Sequence, residues 1–103
     1  MKKVFISQPM KGLTQEQIFS ERNRVAKVLE TMFDEHIVVL DSLILEDAPI
    51  DSNVGLWYLA QSLRVMSGAD IAYFCKGWES ARGCKIEHTC AVEYGVEILE
   101  ENK

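Results

Sequence analysis

The apolar residues of this chain fall into short continuous runs separated by stretches of helical spacing. Residues 3–7 (Lys-Val-Phe-Ile-Ser), 36–40 (His-Ile-Val-Val-Leu), 70–75 (Asp-Ile-Ala-Tyr-Phe-Cys) and about 96–99 read as strands, because a run of four to six apolar residues bounded by turn residues suits a strand covered on both faces. Between the first two lies a helix opening on a capping box, Thr14-x-x-Gln17. Its apolar stripe holds Ile18, Val25, Leu29 and Met32, with Val28 and Phe33 beside it, and it ends near residue 33. A second helix, capped by Asp51 or Ser52, carries Leu56, Leu59, Ala60, Leu63 and Met66 on one face and stops at Ser67-Gly68. The third occupies much of 80–95. The order predicts an α/β three-layer sandwich with a four- or five-stranded, mainly parallel sheet of flavodoxin-like or Rossmann-like type. The stretch 42–53, with Leu43, Ile44 and Leu45 ahead of two acids, Pro49 and the polar Asp51-Ser52-Asn53 cluster, is expected to be a loop with a short helical turn, and its length suits a binding loop or an oligomer contact, the apolar Leu43 to Leu45 serving the latter.

In the third helix, Gly83, Cys84, Glu87, Cys90, Ala91 and Tyr94 share one arc at about 100° per residue. Glu87 is the acid near the middle of that arc. A carboxylate there must pair, face a cavity, or take up a proton. Gly83 clears the first turn, where backbone N–H groups and the positive end of the helix dipole are open to a ligand. In parallel sheets ligands bind at the carboxyl ends of the strands. Those ends here carry Gln8 to Gly12, Asp41, and Lys76 to Gly83, all expected on one rim with Glu87. Arg22 falls within the stripe of the first helix, as a snorkelling edge residue or an arginine aimed at the same rim. Trp57 and Tyr58 lie off their helix's stripe, where they can pack on the loop, line a pocket or meet a second subunit. His88 faces away from Glu87 and reads as a surface helix histidine.

Composition narrows the functions. With 103 residues and 48% hydrophobic content the chain is expected to be a single domain, 1–103. A net charge of -5 argues against polymeric nucleic acid as a partner. No apolar run is long enough to span a bilayer, and Met1-Lys2-Lys3 leads straight into a strand, so a cytoplasmic protein without a membrane partner is expected. The three cysteines, Cys75, Cys84 and Cys90, form neither a CxxC pair nor a metal-ligand spacing, and read as buried thiols. Neither metal nor cofactor is expected. GxSxG, P-loop and GxGxxG motifs are absent. A carboxylate in a partly apolar cleft beside a helix N-terminus suits a small sugar or nucleotide ligand.

The segment Gly83-Cys-Lys-Ile-Glu87-His-Thr-Cys-Ala91-Val-Glu-Tyr-Gly95-Val-Glu-Ile98 resembles the Gly-(three residues)-Glu-x-Gly-x-Ala-(three residues)-Gly-x-Pro-Val signature of the nucleoside 2-deoxyribosyltransferase family. Val4-Phe-Ile-Ser-Gln-Pro-Met-Lys-Gly12 is similar to that family's first strand and loop, and Ala69-Asp70 to the start of its third strand. The resemblance spans nearly the whole chain and looks closest to short members without an assigned activity.

It implies that Glu87 attacks C1′ of a 2′-deoxyribonucleoside or its 5′-monophosphate, with the glycosyl group passing to another base or to water. It further implies a supporting role for Asp70, whose plainer reading is a strand-opening cap, and a sugar-phosphate loop of Ser7, Gln8, Pro9, Met10, Lys11 and Gly12. Asp41, Ser80, Arg82 and Gly83 join the binding set, with Trp78 as a base-stacking platform or a lid over the helix start. Relatives are oligomers with shared sites, so at least a homodimer is expected. Departures accompany the likeness: Ser62 and Ala81 stand where the family has aspartates, Phe5 where nucleotide hydrolases have tyrosine, and Thr89 where it has glycine. Asp41, Glu79 and Arg82 are candidates to replace the missing helpers. The missing acids favour a second reading, a catalytically silent nucleotide-binding or regulatory module.

Overall fold

Strand β1 (Lys2–Ser7) is the axis of the molecule, because it pairs in parallel with β2 (Ile37–Val39) on one side and β3 (Ile71–Phe74) on the other. Among the described residues β4 (Glu97–Glu100) completes a four-stranded, all-parallel sheet in the order β2-β1-β3-β4. The computed structural model describes residues 1–42 and 46–101. The expected apolar contacts of Leu43 to Leu45 lie outside the described residues.

Among the described residues three helices cover the sheet: α1 (Gln15–Phe33), α2 (Val54–Met66) and α3 (Arg82–Glu93). Parallel crossovers are right-handed, so the step from β1 out to β2 and the steps back through β3 to β4 place their helices on opposite faces. α1 packs Val25 and Leu29 on Val4, Ile6, Ile37, Ile71 and Tyr73. On the other face Met66 and Ala91 close over Phe5, Ala72 and Phe74. The result is a three-layer α/β sandwich of flavodoxin-like type.

The local signals act largely as their chemistry dictates. Thr14 Oγ1 accepts from Gln17 N at 3.1 Å while Gln17 Oε1 accepts from Thr14 N at 2.8 Å, completing the capping box of α1. The cap of α2, in contrast, is Asn53, whose Oδ1 accepts from Leu56 N at 3.1 Å. Asp51 and Ser52 are spent in the preceding turn: Asp51 has φ 69°, and the Ser52 hydroxyl donates to Pro49 O at 2.6 Å. Residues 46–53 hold no helical turn.

Two predicted faces are only partly buried. α2 has 13 residues and β3 has four, so the helix, at about 1.5 Å per residue, outruns the strand at about 3.3 Å per residue. Its amino-terminal half overhangs, leaving Leu56 62% exposed while Met66 is buried. Tyr94, expected on the inward arc of α3, is instead 87% exposed. It is the residue that caps the helix, and Gly95 at φ 73° then turns the chain into β4. Tyr58 packs on the loop, its hydroxyl donating to Glu46 O at 2.8 Å, and Trp57 meets its ring edge-on at 5.0 Å.

Among the described residues no helix is long and apolar enough to cross a membrane.

Candidate functional site

The chain leaves β1 toward α1 on one face and leaves β3 toward α3 on the other, so the carboxyl ends of these adjacent strands diverge. This is the switch point at which open parallel sheets bind ligands. Cys75 N donates to Ser7 O at 2.9 Å and fixes the two ends side by side.

Side-chain alternation along β1 then divides the rim. Ser7 shares the α3 face with Phe5, and its hydroxyl donates to Glu87 Oε1 at 2.6 Å. Gln8 shares the α1 face with Val4 and Ile6, and its Oε1 accepts from Arg22 Nε at 2.8 Å. Arg22 also donates through Nη2 to Ser42 Oγ at 3.0 Å. All five of these polar side chains are buried. Arg22 is therefore an internal tie between the ends of β1 and β2 and not a snorkelling edge residue. Burial lowers its pKa from the ordinary guanidinium value, and the charge of Asp41 partly offsets that.

Glu87 is 8% exposed, and among the described residues no cation pairs with it. Burial raises its pKa above the usual carboxylate range, with the Ser7 hydrogen bond opposing the shift. The carboxylate borders a cavity of about 200 Å³ lined also by Gln8, Pro9, Met10, Ala81, Gly83 and Cys84. A neighbouring cavity of about 550 Å³ shares Pro9, Met10, Ala81 and Gly83 and adds Lys11, Ser80 and Arg82. A third, of about 320 Å³, opens from Arg82 and Gly83 toward the overhanging turn of α2.

The structure thus brings together Ser7, Gln8, Pro9, Met10, Lys11, Ser80, Arg82, Gly83 and Glu87. Gly12 lies outside these cavities and serves the turn, its φ of 81° following the Leu13 N to Met10 O bond of 3.1 Å.

Three other expected residues stand apart. Asp70 opens β3 at the amino end of the sheet, its Oδ2 accepting from Lys3 N at 2.8 Å. That is roughly 13 Å of strand away from Ser7, so Asp70 is the strand-opening cap and does not support Glu87. Trp78, in a single 3-10 turn over Trp78–Ser80, stacks on the His88 ring at 4.0 Å and 7° and is not among the residues lining these cavities. It packs over α3, one ring face on His88 and the ring 5.7 Å from that of Phe74. Asp41 is exposed past β2, and its charge acts on Arg22.

Cys84, although on the arc of Glu87, and Ser42 were not among the expected site residues. Cys84 is one turn before Glu87 on α3, and the i, i+3 spacing is the signal that places both at the same opening. Burial pushes its thiol pKa up, so it stays protonated beside the carboxylate. Ser42 had no such signal, since only the tertiary position of Arg22 gives it a role. His88 is not a free surface residue either; Nε2 meets Glu100 Oε2 at 2.7 Å, joining α3 to β4. Among the described residues no group of three or more His, Cys, Asp or Glu is placed to hold a metal ion.

Gly83 gives a direct test of the cavities. A Cβ at this position meets nothing within 4 Å, so a side chain can start from it into open space. Gly83→Leu is expected to raise the melting temperature by a few degrees, because leaving glycine in a helix gains roughly 0.5–1 kcal/mol. The same substitution fills the mouth shared by the three cavities and should abolish ligand-induced thermal stabilisation. Retained stabilisation would place the ligand elsewhere.

No curated protein matches this sequence. The family model described as Domain of unknown function (DUF4406) matches residues 2–100, which is nearly the whole chain, and the protein belongs to that family.

Proposed function

We propose that this protein cleaves or transfers the N-glycosidic bond of a 2′-deoxynucleoside or its 5′-monophosphate, with Glu87 as nucleophile. The observation that carries the reading is a buried carboxylate whose Oε1 is held by Ser7 and which borders a cavity at the strand switch point. A group so placed is oriented, poorly solvated and not neutralised by a neighbouring cation, which suits nucleophilic attack once it is ionised. Likeness to the deoxyribosyltransferase signature around Gly83 and Glu87 points the same way.

In the first step a Glu87 oxygen bonds to C1′ as the C1′–N bond breaks, its electron pair leaving with the base, which takes up a proton. Water or a second base then attacks C1′, and Glu87 departs as a carboxylate while the attacking group loses a proton. This is the double displacement used by retaining glycosidases. Lys11 and Arg82, on the larger cavity beside the amino end of α3, supply the positive field for a 5′-phosphate. The reaction as written needs no metal or cofactor.

One observation favours the silent nucleotide-binding module. Ala81 lines the Glu87 cavity at the position where the resemblance expects an aspartate, so the cavity lacks that acid for the leaving base.

Chromatography of a panel of deoxynucleosides and their 5′-monophosphates, with wild type beside Glu87→Ala, separates the two. Base release by wild type alone establishes glycosyl chemistry and names the substrate. Silence from both, with a melting temperature that rises with one of these ligands, moves the assignment to the binding module.

The proposal extends to a homodimer or larger oligomer. Val54, Leu56 and Ile86 expose apolar surface on the overhang of α2 and the adjoining turn of α3. Light scattering behind a sizing column should give at least twice the 11.7 kDa chain mass, and a strict monomer at high concentration removes this part.

A further inference from the structure

We infer that Trp78 and His88 are positioning residues for the Glu87 cleft: their stacked rings hold the first turn of α3, and with it Arg82 and Gly83, at the mouth of the cavities. This role rests on the reading of that cleft as the ligand site.

Gly83 borders each of the three cavities, and Arg82 lines the two larger ones. Yet the helix that carries them opens on Ala81, which has no side-chain oxygen to satisfy the free N–H groups of the first turn. Helix ends without a cap fray, so the preceding chain must fix this one. Ala81 N donates to Trp78 O at 3.1 Å, and Lys85 N donates to Ala81 O at 3.0 Å, so the first turn hangs from Trp78. A 3-10 turn of three residues is marginal by itself, and its anchor is the Trp78 side chain.

That side chain is wedged between two elements. Its ring lies parallel to the His88 imidazole at 4.0 Å and 5.7 Å from Phe74, which is fully buried at the end of β3. Phe74 meets His88 edge-on at 4.8 Å, closing a three-ring cluster. Alternation along β4 puts Glu100 on the α3 face with Ile98. Glu100 Oε2 meets His88 Nε2 at 2.7 Å and so sets the plane of the imidazole against the indole. Glu87 needs none of this, because it lies one turn beyond Gly83, is buried, and is held by Ser7 on β1. Loosening the stack therefore frees the rim and leaves the carboxylate in place.

Amide hydrogen exchange in ¹⁵N-labelled protein tests the anchor. His88→Ala removes the ring and His88→Phe keeps one, with melting temperatures verifying that both fold. The Lys85 amide is expected to exchange about tenfold faster in His88→Ala, the equivalent of one aromatic contact, and nearly as in wild type in His88→Phe. Val96, whose N donates to Ala91 O at 2.9 Å past the far end of the same helix, should be unchanged in both. 2′-Deoxythymidine 5′-monophosphate is the ligand probe. Its KM for base release should rise about tenfold in His88→Ala with kcat within about twofold of wild type, because binding at the rim is lost and attack by Glu87 is not. If wild type releases no base, the Kd read from the Gly83 amide shift replaces KM and should rise by the same factor. Equal acceleration at Lys85 and Val96 reduces His88 to a general structural residue and overturns the role. So does an unchanged Lys85, or a local loss of protection that leaves nucleotide affinity unaltered. A wild type that neither turns over nor binds the nucleotide removes the role together with the reading beneath it, while the Lys85 result, which needs no ligand, still shows whether the rings hold the turn.

Discussion

Glu87→Gln protein is expected to lose base release by about 10³-fold or more, while melting at a higher temperature than wild type at pH 7. Glutamine still accepts from Ser7 but cannot attack C1′, so the chemistry fails with the cleft in place. The gain in stability follows from the raised pKa of the buried carboxyl. The folded protein binds the Glu87 proton more tightly than the unfolded chain does. Its stabilising contribution is therefore fully present below the ordinary value of 4.5, where the group is protonated in both states. It is lost as pH rises from there through the raised folded value, since ionising the buried group then costs stability. Glutamine mimics the protonated carboxyl at every pH, so the two proteins should melt alike near pH 4 and diverge toward neutrality. Turnover runs the other way, rising as Glu87 ionises. Melting curves at several pH values beside a pH–rate profile check both halves. A variant that still releases base removes Glu87 as nucleophile, and equal melting at pH 7 removes the claim that its charge is buried at a cost.

Arg22→Met should be the most destabilising substitution outside the hydrophobic core. It leaves Gln8 Oε1 and Ser42 Oγ without their shared donor in a buried setting and unties the end of β1 from the segment after β2. The expected loss is about 2–4 kcal/mol, since each stranded acceptor costs roughly 1–3 kcal/mol and methionine recovers some of the desolvation penalty of the guanidinium. For a chain of this length that corresponds to a fall in melting temperature of roughly 10–25 °C. Arg22→Lys should rescue little of it, because an ammonium on a flexible stem does not present the planar fork that spans both acceptors. Thermal unfolding of the two variants decides the matter. A loss below about 0.5 kcal/mol would mean that Gln8 and Ser42 find other partners readily, as surface groups do.

The four strands, three helices and α/β class were readable in the linear order because each signal is local. Continuous apolar runs such as Val4 to Ile6 suit strands covered on both sides, and Thr14-x-x-Gln17 closes its own capping box within four residues. Glu87 stood out for a similar reason: an acid amid Cys84, Cys90 and Ala91 violates the pattern of its helix face. Element ends were less legible. Asn53 takes the cap of α2 only because the turn before it consumes Asp51 and Ser52, and Tyr94 leaves the buried arc because α3 stops one residue earlier.

The sequence by itself determined which segments are strands and helices, which faces seek burial, and that one carboxylate lies on such a face. Its physical basis is the fixed geometry of 3.6 and 2 residues per repeat, which needs no distant partner. Only the tertiary structure decided which polar groups share a cleft. Parallel pairing sets Asp70 at the amino end of β3 and Ser7 at the carboxyl end of β1, and alternation along β1 sends Ser7 to Glu87 but Gln8 to Arg22. Those partners are 80 and 14 residues apart in the chain, and no local periodicity relates them.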